Sequence, residues 1–157
     1  MAASTPALAA LQRAGVDFIT HSYELVESDL SYGAAVAATL GVDHGRLFKT
    51  LVAECDNKPV VAIVPVRSHL SLKALANAAA SKKAHMADPV AVERWTGYVV
   101  GGISPLAQKR PMPVFLDESA VGFQTIYVSA GLRGLQVELD PVDLIRMLEC
   151  RLAALAD

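Results

Sequence analysis

The chain has 157 residues, a net charge of −2 and a hydrophobic fraction of 53%. Such a composition excludes a disordered chain and implies one domain, residues 1–157, with a core large enough to stand without metal or disulfides. With a pI near 6.1 it is not a protein that grips a long stretch of nucleic acid by itself, which does not exclude one that takes only the tip of an RNA.

Ser4 to Ala14 predicts a helix, with Ser4 as its cap, Pro6 in its first turn and Gly15 at its C-terminal cap. Asp17 to Tyr23 alternates as a strand does, and Tyr32 to Leu40 reads as a short helix closed by Gly41. Leu47 to Cys55 and Val60 to Val66 predict two strands joined as a hairpin around Asp56-Asn57-Lys58-Pro59. Ser71 caps a helix to about Ala80, and Lys83 to Met86 is a short strand. Asp88-Pro89 opens a helix that ends near Gly97. Tyr98 to Val100 leads into a Gly101-Gly102 loop, and Pro113–Leu116, Thr125–Ser129 and Gly134–Leu139 predict three strands. Asp140-Pro141 starts a last helix with Val142, Ile145, Leu148 and Leu152 on one face. Hairpin-like strand pairs mixed with helices, without steady βαβ alternation, imply an α+β fold with a mixed, largely antiparallel sheet.

Two features carry chemistry. Lys49 lies among Leu47, Phe48 and Leu51, where a lysine is costly to desolvate unless it meets an anion. Gly101-Gly102 lets backbone approach a ligand closely and expose its N–H groups. Together they suit a phosphate or a polarised carbonyl, but on spacing alone the simpler reading is a lysine reaching out from a sheet edge and a glycine turn. There is no GxGxxG pattern and no P-loop. His21, His44, His69 and His85 lack metal-ligand spacing, and Trp95 reads as packing at its helix end. Ser104 lacks a nucleophile elbow and reads as a turn hydroxyl. Cys55 and Cys150 are far apart, without CxxC, and read as reduced packing residues. Lys82-Lys83, Lys109-Arg110 and Arg133 read as solvated surface charge. No apolar run reaches the length of a membrane span, and Met1 to Gly15 lacks a secretory pattern, so a cytoplasmic protein is expected.

Ordered segments along nearly the whole chain then become recognisable: Thr5-Pro6-Ala7, His21-Ser22-Tyr23-Glu24, Phe48-Lys49-Thr50-Leu51, Met86-Ala87-Asp88-Pro89, Thr96 to Pro105, Ile126 to Gly131, and Arg133-Gly134-Leu135. The Thr96–Pro105 string is the specific one. The chain resembles the YbaK-type bacterial deacylases, in the superfamily that includes the editing domain of bacterial prolyl-tRNA synthetase. The resemblance implies a curved, largely antiparallel sheet flanked by helices. It also implies hydrolysis in trans of Cys-tRNA(Pro), with the substrate's own thiol attacking its ester carbonyl and no cofactor or metal. A synthetase pocket for proline rejects the similar-sized cysteine only weakly, so a second hydrolytic site supplies the discrimination.

By the same resemblance, Lys49 holds the phosphate or ribose of the terminal adenosine. Gly101 and Gly102 offer backbone donors to the carbonyl oxygen. Tyr23 and Tyr32 wall the pocket, Ser104 and Ser129 give hydroxyl contacts, and Thr50, Ile103 and Gln136 complete the binding set. Two positions depart from the pattern: Tyr32 stands where phenylalanine is expected, and Gln136 where an acid is expected. The neutral Gln136 leaves open a deacylase for another small aminoacyl-tRNA, such as Ala-tRNA(Pro). A non-catalytic module that binds aminoacyl-tRNA or adenosine is a further alternative. The partners expected are the acceptor end of tRNA and a prolyl-tRNA synthetase complex, with the chain itself a monomer and no membrane involved.

Overall fold

The computed structural model describes residues 4–24 and 32–157. In chain order the elements are α1 (Pro6–Ala14), β1 (Phe18–Ser22), α2 (Tyr32–Leu40), β2 (Phe48–Cys55), β3 (Lys58–Pro65), α3 (Leu72–Ala78), β4 (Ala84–Met86), α4 (Pro89–Thr96), β5 (Val114–Asp117), a 3₁₀ turn (Glu118–Gly122), β6 (Ile126–Leu132), β7 (Leu135–Leu139), α5 (Pro141–Leu148) and β8 (Arg151–Ala153). They form a three-stranded sheet, β1-β7-β6, and a five-stranded sheet, β4-β2-β3-β5-β8. The β3–β5 and β5–β8 pairs are parallel, and the other named pairs are antiparallel. The fold is therefore α+β and mixed, as expected.

Local chemistry explains most boundaries. Asp88 and Asp140 accept from the N–H groups of Val90 and Val142, both at 2.8 Å, and a proline follows each. These are caps with a first-position proline whose missing N–H costs the helix nothing. Asp56 and Asn57 both take positive φ, 50° and 67°, which is the two-residue turn that matches the twist of the β2–β3 hairpin. At α1 the cap is Thr5 rather than Ser4. Its hydroxyl accepts from Leu8 N–H at 3.1 Å and donates to the Ala130 carbonyl at 2.6 Å, tying the helix to β6.

β3 is central and covered on both faces, which is why Val60–Val64 is a continuous apolar run rather than an alternating one. Val61 and Ile63 face Phe48, Val52, Leu116, Ile126 and Val128, against α1 residues Leu8 and Leu11. Ala62 and Val64 face Phe115, Leu75 and Leu155. Each large side chain fully buried this way contributes about 1.5–3 kcal/mol. The two sheets meet where Leu47 bridges Tyr127 in parallel, and Tyr127 N–H donates to Arg46 O at 2.9 Å. Arg46 also lies over the Tyr127 ring and reaches Glu138 at 3.4 Å. His21 Nε2 lies 2.9 Å from the same carboxylate.

The C-terminal expectation needs correction. α5 stops at Leu148 with Glu149 at φ 52°, and Leu152 belongs to β8, paired beside β5. Val142 is 52% exposed, and Pro141 and Leu144 are the residues the helix buries.

Candidate functional site

The site lies along β2. One edge of that strand pairs with β3 throughout, but the other pairs with β4 only from Ala53 to Cys55. Between that short pairing and the Leu47–Tyr127 bridge, Phe48 to Leu51 border a cavity of about 280 Å³. α2 and the end of β3 form its apolar wall, with Gly33, Val36 and Val66. The Gly101 loop supplies Val100, Gly101 and Ile103, and the β6–β7 hairpin supplies Ser129 and Gln136, which face each other across the ladder.

Of the residues singled out in the sequence, Lys49, Thr50, Gly101, Ile103, Ser129 and Gln136 converge here. Lys49 is the charged residue among the described lining. Burial lowers its pKa from the ordinary lysine value, and it makes no ion pair with a carboxylate of the described residues. Gln136 is 5% exposed and donates through Nε2 to the Tyr23 hydroxyl at 3.2 Å. Tyr23 thus reaches the site through Gln136. The Gln136 Oε1 and Thr50 Oγ1 atoms are both buried and have no hydrogen-bond partner among the described residues. A buried polar atom without a partner costs about 1–3 kcal/mol, and donors brought by a bound molecule would offset that cost. Tyr32 opens α2, but its side chain lies outside the described residues.

Two assignments change. The Gly102 N–H donates to Val99 O at 2.9 Å, closing the loop's own turn, so it is not a spare donor for a carbonyl oxygen. Gly102 is required for another reason: a Cβ there would sit 2.8 Å from the Leu132 and Arg133 backbone. Ser104 is fully buried, accepts from Leu106 N–H at 3.1 Å and does not border the cavity. It is the turn hydroxyl, not a substrate contact.

The apolar wall of Gly33, Val36 and Val66 escaped the sequence reading, because apolar residues that line a pocket look like those that fill a core. The signal available was Gly33 inside a helix, where a Cβ would meet Val66 at 2.8 Å. None of the described lining residues is His, Cys, Asp or Glu. Cys55 is buried, and burial pushes the Cys150 thiol up to about 12, so neither is an activated nucleophile. No three His, Cys, Asp or Glu side chains of the described residues gather closely enough to hold a metal ion. What the arrangement can do is bind and orient: one cation, two unpaired polar oxygens, the Ser129 hydroxyl and an apolar wall.

Comparison with known proteins agrees with that inventory. The family model of the aminoacyl-tRNA editing domain matches residues 29–147. EbsC of Enterococcus faecalis, named as a Cys-tRNA(Pro)/Cys-tRNA(Cys) deacylase, is 41% identical over 139 residues, covering 87% of this chain and 84% of its own. A proline–tRNA ligase of Nitratidesulfovibrio vulgaris is 36% identical over 87 residues, 55% of this chain but 15% of the ligase. A crystal structure described as a trans-editing enzyme for prolyl tRNA synthetase shares the fold, with a TM-score of 0.82, 22% identity and 99% of each chain covered. The chain belongs to the aminoacyl-tRNA editing domain family.

Proposed function

We propose that the protein is a free-standing deacylase that hydrolyses the ester of mischarged Cys-tRNA(Pro). The observation that carries the reading is the cavity bordered by Lys49, Thr50, Ser129 and Gln136, with Gln136 Oε1 and Thr50 Oγ1 left without a partner among the described residues. An aminoacyl-tRNA end brings what these groups lack: an amino or thiol donor for the oxygens and a phosphate for the lysine. The similarity to EbsC supports cysteine as the amino acid removed.

The chemistry follows from what the described lining offers. An aminoacyl ester is already activated, and none of the described lining residues is a His, Cys, Asp or Glu that could serve as base or nucleophile. The substrate's thiol, as thiolate, attacks its own carbonyl carbon. The S–C bond forms, the ester C–O bond breaks, and the departing ribose oxygen takes a proton from water. The cyclic thioester left behind is hydrolysed to free cysteine. The protein's part is positioning, which supplies several kcal/mol of barrier reduction. Gln136 Oε1 and Thr50 Oγ1 hold the aminoacyl group, and Lys49 holds the terminal nucleotide. Near-neutral net charge implies weak unspecific affinity for tRNA. A monomer acting in complex with prolyl-tRNA synthetase would borrow the missing affinity from its partner.

The test is the half-life of cysteinyl-tRNA carrying the proline anticodon, with and without the protein, beside alanyl-tRNA. The expected result is rapid loss of the cysteinyl ester alone. Loss of the alanyl ester instead moves the substrate and makes Gln136, in place of an acid, the reason. Protection of both esters makes the protein a binder. Lys49→Ala should lower kcat/KM about tenfold or more, mostly through KM, because the loss is one of charge-assisted binding.

A further inference from the structure

Arg133 lies in the turn of the β6–β7 hairpin, whose strands carry Ser129 and Gln136 into the cavity. Its side chain is exposed, yet it is not free to wander. Nε donates to Val100 O at 3.0 Å, and the Val100 N–H in turn donates to Glu93 Oε2 at 2.8 Å, so the residue before Gly101 is gripped at both ends. The Arg133 side chain passes directly over Gly101. A Cβ there would come 2.6 Å from Nε and 3.2 Å from Cζ, and Gly101 holds φ at 93°, where L side chains are strained. Arg133 forms no ion pair with a carboxylate of the described residues. Around it Val99, Val100 and Leu132 are 55%, 45% and 43% exposed. A cation held in place, with one of its donors used and an apolar surround, sits at the lip of a cavity meant for a nucleotide end.

We propose that Arg133 is a positioning residue that also reads the acceptor strand. Its Nε holds the Gly101 loop at the cavity wall, and its remaining N–H groups take a phosphodiester of the nucleotides preceding the terminal adenosine, whose bases rest on the Val99–Val100–Leu132 lip. The proposal rests on the deacylase reading for its substrate. The planar fork of an arginine, with Nε engaged, still offers two parallel donors to phosphate, which a lysine cannot do. The other exposed basic pairs are placed differently: Arg110 stacks on Trp95, and the Lys82 and Lys83 backbone amides are held by Asp56.

The experiment compares the parent with Arg133→Gln and Arg133→Lys on cysteinyl-tRNA and on cysteinyl adenosine, which has no phosphate. On tRNA, Arg133→Gln should raise KM about tenfold and make the salt dependence shallower by about 0.7 in log–log slope, one single-strand phosphate. On cysteinyl adenosine its KM should match the parent, while kcat falls because Val100 is no longer held. Arg133→Lys should recover the salt slope but not kcat. Equal KM on tRNA for parent and Arg133→Gln overturns the phosphate contact, and unchanged kcat on both substrates overturns the positioning role. A binding measurement stands apart from turnover: calorimetry with a 5′-phosphorylated CCA trinucleotide and with adenosine. Weaker trinucleotide binding by Arg133→Gln, with adenosine unaffected, supports the contact even in a protein that fails to hydrolyse either ester, in which case the deacylase reading alone falls. Equal trinucleotide binding overturns the contact whatever the turnover. Arg133 is exposed, so both variants should melt with the parent; if one does not, the comparison is made on the other.

Discussion

Asp117 and Gln136 are the same depth inside the molecule, 4% and 5% exposed, and have opposite relations to their surroundings. Asp117 is satisfied several times over. Its Oδ1 accepts from the N–H groups of Leu155 and Ala156 at 2.9 and 3.0 Å, and its Oδ2 accepts from the Ser119 hydroxyl and N–H. Gln136 spends its amide donor on Tyr23 and leaves its oxygen unpaired among the described residues. The first is how a fold uses a buried polar group: the aspartate ends β5, starts the 3₁₀ turn and ties down the C-terminal segment. The second is a deficit the folded protein tolerates until something fills it. Buried polar groups alone do not mark function; unsatisfied ones beside a cavity do.

Replacing each residue by an apolar one should separate the two roles. Asp117→Ala strands the N–H groups of Leu155, Ala156 and Ser119, each a buried or part-buried donor, and should cost about 2–4 kcal/mol. Tm should fall by roughly 10 °C, with kcat and KM unchanged below the transition. Desolvation by itself would raise the Asp117 pKa, but the hydrogen bonds from Ser119, Leu155 and Ala156 outweigh it and hold it below the usual carboxylate value. A depressed folded pKa means stability that is present above the unfolded value and lost as pH falls through the folded one. The acid limb of the stability curve should therefore be shallower in Asp117→Ala than in the parent. A variant that melts with the parent between pH 3 and 7 would show the aspartate is no clasp.

Gln136→Leu should do the reverse. The unpaired amide oxygen already costs the native state about 1–3 kcal/mol, and leucine removes that cost while Tyr23 stays half-buried. Tm should hold or rise, and kcat/KM for the cysteinyl ester should fall about tenfold to a hundredfold, the worth of one hydrogen bond to a charged or buried donor. A lowered Tm with a parent-like rate would place Gln136 with Asp117, as a structural residue.

Much of this contrast could be read in the sequence, and the part that could not has a physical cause. The Asp-Pro starts at Asp88 and Asp140, the Gly15 stop and the Asp56-Asn57 turn are local codes, and the chain obeys them. β8 carries no such code. Three residues pair with β5 because Glu149 turns the backbone through a left-handed conformation without a glycine. Nothing within ten residues of Leu152 announces its partner, so a helical stripe was the simpler reading. The site was legible for a different reason. Lys49 and Gly101 are odd residues for their surroundings, and the resemblance of the motifs brought in Ser129 and Gln136. Ser104 and Gly102 travelled with the same string but serve the loop itself. Sequence proximity to a functional residue does not tell a contact from its support, whereas a hydrogen-bond partner does.

The smallest expected effect concerns Lys49, the one charge among the described residues that line the cavity. Burial lowers the Lys49 pKa below its ordinary 10.5, so the folded protein binds that proton less tightly than the unfolded chain does. Empty, Lys49 subtracts stability at neutral pH, and that loss fades as pH rises past its folded pKa. A phosphate beside it reverses the balance by favouring the ammonium form. Affinity for a 5′-phosphorylated CCA trinucleotide should therefore decline severalfold as pH is raised through the lowered lysine pKa. The decline should begin at a pH below 10.5 and be missing in Lys49→Met, whose residual binding is weak and flat with pH. Adenosine should bind with the same affinity across that range in both proteins. If adenosine shows the decline and the trinucleotide does not, Lys49 faces the aminoacyl or ribose end, and the phosphates belong to Arg133 alone.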